Sequence, residues 1–226
     1  MPNWKPEECA CCPLYDIGTG FALDAGDPFT AKLVACCEAP GGDEVEFRLD
    51  AQEDKFWEAE LGRRRAAYPQ LGAVYPPLAE RFIRQGAPVV GRSGQFYWNK
   101  MMGPVGLKRE DVFQMNVLRC KPPKIGDSNY PTGETRKEAE ACCRMWDRHQ
   151  QFKPDTAVIT IHPAALVRDI TPLPLVLEDV RKARDFAAQG RRVMLLVGDK
   201  AAHQFAGTPG NITWWRGNYS ELVPLK

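Results

Sequence analysis

The stretch AKLVACCEAPGG (residues 31–42) is apolar from Leu33 through Cys37 and then stops at a proline and two glycines. A short, continuously apolar run closed by turn residues reads as a strand buried on both faces. FQMNVLRC (113–120), TAVITI (156–161) and RRVMLLVG (191–198) repeat the pattern. Segments of helical character separate them, roughly 93–102, 135–151 and 175–189. In the last of these Val176, Val180 and Ala183 recur at near-helical spacing, while Arg181, Lys182, Arg184 and Asp185 face away. Apolar strands alternating with helices predict an α/β fold, three layers with a central, mostly parallel, four-stranded sheet.

In such a sheet ligands collect at the carboxyl ends of the strands. Those ends carry Glu38, Asn116 and His162, far apart in sequence and brought to one rim by this fold. The segment 46–85 interrupts the alternation; rich in helix formers and aromatics and broken at Pro69, Pro76 and Pro77, it reads as a helical insertion. With 226 residues and 44% hydrophobic content the chain can bury one sizeable core, so a single domain spanning 1–226 is expected. There is no apolar run long enough to cross a bilayer, and MPNWKPEECACC lacks the basic and apolar regions of a secretory signal, so a cytoplasmic protein is expected.

A formal net charge of +1 neither favours nor excludes a nucleic-acid partner, which needs only a local basic face. Local clusters occur at Arg63, Arg64 and Arg65, at Arg119, Lys121 and Lys124, and along 181–192; composition alone reads each as a solvated face. The eight cysteines carry more information. In a reducing compartment metal binding or catalysis is a better reading than disulfides. Cys36 and Cys37 fall in the first strand and read as core. Cys9 and Cys12 form a Cys-x-x-Cys pair, and Cys120 with one of Cys142 and Cys143 could complete a four-thiolate set. By ligand type that set suits zinc and an iron–sulfur cluster equally.

Five blocks taken together carry a resemblance: CEAPGGDE (37–44), GAPVVGRSGQ (86–95), GLKREDVFQMNVLRCKPP (106–123), EAEACCRMW (138–146) and HPAALVR (162–168). Their combination is similar to the iron–sulfur uracil-DNA glycosylases of the family 4 type and their phage-like relatives. The resemblance implies a [4Fe–4S] cluster on Cys9, Cys12, Cys120 and Cys142, held by an N-terminal cluster-binding segment, with Cys11 and Cys143 outside the ligand set. It implies a DNA partner containing uracil or another non-standard base; a monomer is expected. Asn116 would read the edge of the flipped base, beside Pro40, Gly41 and Val89, the last standing where the family usually has an aromatic. His162 would donate to the departing uracil anion, and Glu44, with Glu38 as second candidate, would orient water or stabilise the sugar cation. Pro163 and Arg168 would press on the DNA near the base, and Arg119, Lys121 and Lys124 would contact phosphate.

The chain departs from the family in order. VMLLVGDKAAHQFAG…ITWWRG (193–217) resembles the family's third-strand block yet follows HPAALVR instead of preceding it. Either the two blocks are exchanged, the reading adopted here, or TAVITIHPAAL stands in the third-strand place and His203 becomes the histidine to test. Three functions follow from the resemblance: a uracil-excising glycosylase, a glycosylase for another base, and a non-catalytic DNA-binding protein that keeps the fold.

Overall fold

The computed structural model describes residues 5–69, 76–124 and 130–207. Parts of the inserted segment, of the loop after Pro123 and of the C-terminal block, including ITWWRG, lie outside the described residues. The strands are β1 (Leu33–Cys37), β2 (Val112–Asn116), β3 (Thr156–Thr160) and β4 (Val193–Val197). In chain order the helices that matter here are α1 (Gly42–Glu46), α2 (Lys55–Ala67), α3 (Pro76–Arg84), α4 (Gly91–Phe96), α5 (Gly133–Cys143), α6 (Pro163–Arg168), α7 (Leu173–Ala188) and α8 (Asp199–Ala206). Their contacts divide the chain into two compact units built from interleaved segments.

One unit comprises residues 26–38, 89–116 and 148 onward, and holds the whole sheet. All three pairings are parallel, in the order β2-β1-β4-β3, and every strand residue is buried. That burial is why β1 and β4 read as unbroken apolar runs, while β2 and β3 carry buried polar residues, Gln114 and Asn116 in one and Thr156 and Thr160 in the other. Val176, Val180 and Ala183 of α7 join Leu33, Ala35, Val158, Val193 and Leu195 in one core, so the periodicity seen in the sequence is the buried stripe. The helix expected over 93–102 begins at Gly91 and continues beyond Phe96 as a π-helical turn, Tyr97–Met102. The strand that resembles the family's third-strand block, β4, takes the inner place beside β1, and β3 with its following histidine takes the edge. The chain therefore visits the edge position before the inner one.

The other unit comprises residues up to 25, 39–88 and 117–147. It has its own apolar cluster of Cys9, Phe21, Leu23, Tyr68, Phe82 and Trp146, with Phe21 edge-on to Trp146 at 5.2 Å. The inserted segment contributes α2 and α3. Asp54 caps α2 by accepting from the Phe56 N–H at 2.8 Å. Arg64 is a correction to the solvated-face reading of its cluster. Its side chain is fully buried, paired with Glu60 at 3.2 Å and donating to the carbonyls of Leu23, Asp24, Ile83 and Gly86. A guanidinium offers five donors in a planar fork, and here carbonyls from two stretches, 23–24 and 83–86, use them, which ties the insertion to the rest of this unit. Among the described residues no helix is long and apolar enough to cross a membrane.

Candidate active site and cysteine cluster

Because all four strands run parallel, their carboxyl ends lie on one side of the sheet unit. Asn116 ends β2 in register with Cys37 at the end of β1. Its side chain is only 1% exposed, yet neither Nδ2 nor Oδ1 has a hydrogen-bond partner among the described residues. Leaving both a buried donor and a buried acceptor unmade costs about 1–3 kcal/mol each, so an orphaned amide at a strand end is the signature of a group kept for a ligand.

His162 follows β3 and is the N-cap of α6, with Pro163 at the first helical position. Its Nδ1 accepts from the Ala164 N–H at 3.2 Å. Burial, and secondarily the Arg168 guanidinium, push its pKa down to about 4. At neutral pH the ring is therefore uncharged with Nδ1 lone pair engaged, so its one proton sits on Nε2 and makes that nitrogen a donor.

Val89 has φ +57°, the left-handed region that a β-branched residue rarely enters. Its carbonyl accepts from Trp98 Nε1 at 3.3 Å, and a Cβ built on Gly94 would lie 2.3 Å from the same oxygen. Gly94 is thus required for that close approach, and the strained residue coincides with the position at which the resemblance places base stacking.

Glu38 directly follows β1. Its Oε1 accepts from the Lys200 N–H at 3.2 Å, in the first turn of α8. Burial raises its pKa, opposed by the backbone N–H groups of that turn. The carboxylate caps a helix and is already engaged. His203 lies on an exposed part of α8.

In the other unit, Pro40 is buried and Gly41 exposed, and the Gly41 N–H donates to Glu44 Oε2 at 2.6 Å at the start of α1. Lys121 and Lys124 are exposed. Arg119 is not, and its assignment to phosphate is corrected. At 1% exposure it pairs with Asp24 and, at 2.9 Å, with Asp147, and donates to the Trp146 carbonyl at 3.2 Å. Burial pushes the Asp147 carboxyl up to about 6 even with that cation beside it.

Cys9, Cys12, Cys120 and Cys142 are free thiols, exposed by only 5%, 7%, 4% and 8%, and all belong to this unit. Cys9 and Cys12 flank the end of a 3-10 turn, Glu7–Cys11, and Cys142 is on α5. Burial, together with the neighbouring thiols, raises Cys9 to about 12 and Cys120 to about 11. Cys142 is raised as well, by burial and by Cys11, whose sulfur is 3.2 Å away. A Cβ on Gly18 would lie 2.9 Å from Cys120 Sγ, so a glycine keeps space beside that sulfur. Lys5, which the sequence reading overlooked, is buried and donates to the carbonyls of Leu14, Tyr15 and Gly18. Its ammonium favours the thiolate forms of Cys9 and Cys120. Among the described residues no three ligand-type side chains close on a single ion. The donor set fits an iron–sulfur cluster, in which the four thiolates bind different irons, on chemistry: buried thiols that stay protonated alone and ionise on a cation.

Residues 76–225 match the uracil DNA glycosylase superfamily, more than half of the chain, and the protein belongs to that superfamily. It is similar to the type-4 uracil-DNA glycosylase of Thermotoga maritima, 23% identical over 220 residues that cover 80% of this chain and 91% of that one. It is also similar to the type-4 enzymes of Archaeoglobus fulgidus, 43% identical over 58 residues and 26% of each chain, and of Sulfurisphaera tokodaii, 25% identical over 122 residues and 50% of each. The matched stretches thus span a quarter and half of the latter two proteins.

Proposed function

We propose that this protein is a monofunctional DNA glycosylase that hydrolyses the N-glycosidic bond of uracil in DNA. The observation that carries the reading is the buried, unpartnered amide of Asn116 at the carboxyl edge of the sheet. One amide offers a donor and an acceptor, the complement of uracil O4 and N3–H, and a base held there must first leave the DNA stack.

In the reaction the bond between the sugar C1′ and uracil N1 breaks and its electron pair leaves with the base, so negative charge develops on N1 and O2 while the sugar becomes cationic. Neutral His162, whose proton is held on Nε2 by the Ala164 contact, donates to uracil O2 as that charge forms. Water adds to C1′ and its proton ends on the base. Glu44, whose Oε2 accepts from the Gly41 N–H, is the carboxylate that the resemblance assigns to that water. Cys9, Cys12, Cys120 and Cys142 would hold a [4Fe–4S] cluster. Since hydrolysis moves no electrons, these cysteines would use it as a cross-link between the N-terminal segment, the turn after β2 and α5. Lys5 offsets part of the thiolate charge.

The test is release of uracil from single-stranded and mismatched oligonucleotides by the purified protein. Val89 in place of an aromatic favours one alternative, a different base, so a panel of modified bases belongs in the same experiment. Release of another base with uracil left intact would establish that alternative, and no release of any base would leave the non-catalytic reading.

A further inference from the structure

Helix α4 and its π-helical continuation face α6 across a groove of about 410 Å³. Arg92, Gln95 and Asn99 recur at helical spacing along one wall, with Lys100 beside them, and Arg168 stands on the other. All five are exposed. Phe96 and Leu166 supply an apolar floor. The lining contains no acidic residue, and among the described residues none of Arg92, Lys100 and Arg168 forms an ion pair. Asp169, next to Arg168, has its own carboxylate occupied by the Thr171 N–H at 3.0 Å. Elsewhere some exposed cations are paired, as Arg65 is with Glu80 and Lys32 with Asp111, and others such as Lys55 and Lys153 stand singly among the described residues, away from this groove. Three uncompensated cations in one groove are therefore a local positive field on a chain whose net charge is only +1.

The spacing selects the anion. Arg92 and Lys100 are roughly 10 Å apart along the helix axis, the π-helical part rising less per residue, too far to share one phosphate and suited to successive phosphates of one strand. Arg168 lies about 9 Å along α6 from the N-cap His162, within one or two nucleotides of a base held by that histidine. Gln95 and Asn99 add neutral donors that phosphate oxygens accept.

We infer that this groove carries the phosphodiester backbone of the DNA strand that flanks the extruded nucleotide, with Arg92, Lys100 and Arg168 as its cations. The inference rests on the glycosylase reading and extends it by placing the strand. Neither Arg92 nor Lys100 was singled out from the sequence, although GRSGQFYWNK holds both at the ends of one helical face.

Salt-dependent affinity for a single-stranded and a duplex oligonucleotide, each without uracil, tests it on the full chain. Arg92→Gln combined with Lys100→Gln removes two phosphate contacts. The slope of log affinity against log salt should become shallower by about 1.4 on the single strand and about 1.8 on the duplex. Affinity near physiological salt should fall on the order of tenfold. Asn99→Glu, which introduces a negative charge without removing a cation, should weaken binding most at low salt. Arg181→Gln, an exposed cation on α7 outside the groove, should leave slope and affinity as in the wild type. A double variant that keeps the wild-type slope and affinity overturns the assignment, and if that protein still excises uracil the glycosylase reading survives alone. A wild type that binds no DNA at any salt overturns both.

Discussion

The N–H of Ala164 donates to Nδ1 of His162 across 3.2 Å, and this bond fixes which face of the imidazole is available to a ligand. Because His162 precedes Pro163 at the start of α6, Ala164 is one of the first-turn residues whose N–H has no carbonyl partner inside the helix. The histidine satisfies that orphan and is held in one tautomer in return. A general acid would need a positive ring; a neutral ring of this tautomer suits the donor role proposed for it.

His162→Ala should therefore keep the fold and DNA affinity while the single-turnover rate of uracil excision falls by about two to three orders of magnitude, the scale of losing one preorganised donor to a developing oxyanion. His162→Gln, whose amide can donate, should recover part of the loss. Equal rates for wild type and His162→Ala would remove the residue from the mechanism.

The same residue sets a pH response. Its folded pKa of about 4 lies below the ordinary value of 6.5, so as pH falls the unfolded chain takes up the proton first. Its contribution to stability is complete above pH 6.5 and is lost as pH falls from there towards 4. Melting temperatures across that window should fall more steeply for the wild type than for His162→Gln. The excision rate should stay level from pH 8 to 5; a rate that drops through pH 6.5 would mean an unshifted imidazole.

Asn116→Asp replaces an amide with a group that, ionised, only accepts. Uracil excision should fall sharply and discrimination against cytosine should relax. Competition by free uracil and free cytosine measures this directly: the variant should lose its preference, and retention of wild-type uracil inhibition would count against base reading by Asn116.

Anaerobically purified protein should be brown and contain iron and sulfide in comparable amounts. Cys120→Ser should lower the iron content and the melting temperature together. Gly18→Ala should do the same in milder form, because its methyl group would crowd the Cys120 sulfur at 2.9 Å. Stoichiometric zinc without sulfide would replace the cluster with a single ion.

Arg119→Met should act on stability. It leaves Asp24 and Asp147 buried without their cation, a loss of about 3–5 kcal/mol, measurable by denaturant unfolding. Lys121→Gln, at an exposed position two residues on, should reduce the salt dependence of DNA binding with little change in unfolding. A wild-type midpoint in Arg119→Met would show that the buried network contributes nothing net.

Much of the sheet was legible in the chain, because strands buried on both faces are mostly apolar: LVACC and VMLLV are so throughout, and TAVIT between its two threonines. The helix over 135–151 was less so. It ends at Cys143 and gives way to a 3-10 turn, Arg144–Trp146, whose final residue is drawn into the aromatic cluster with Phe21 and Tyr68. Packing of one tryptophan decided that boundary, and no local propensity reports it.

The sequence by itself determined the family and put Asn116 and His162 at strand ends, because residue type and order along the chain carry those directly. Tertiary structure alone decided what charged groups do. Arg64 and Arg119 look in the chain like Arg92 and Lys100, yet the first two are buried on carbonyls and carboxylates and the last two line an open groove. A charged side chain has the same local pattern whether solvent or the fold satisfies it. Its fate depends on partners tens of residues away, as Arg119 depends on Asp24, and only the folded chain brings those together.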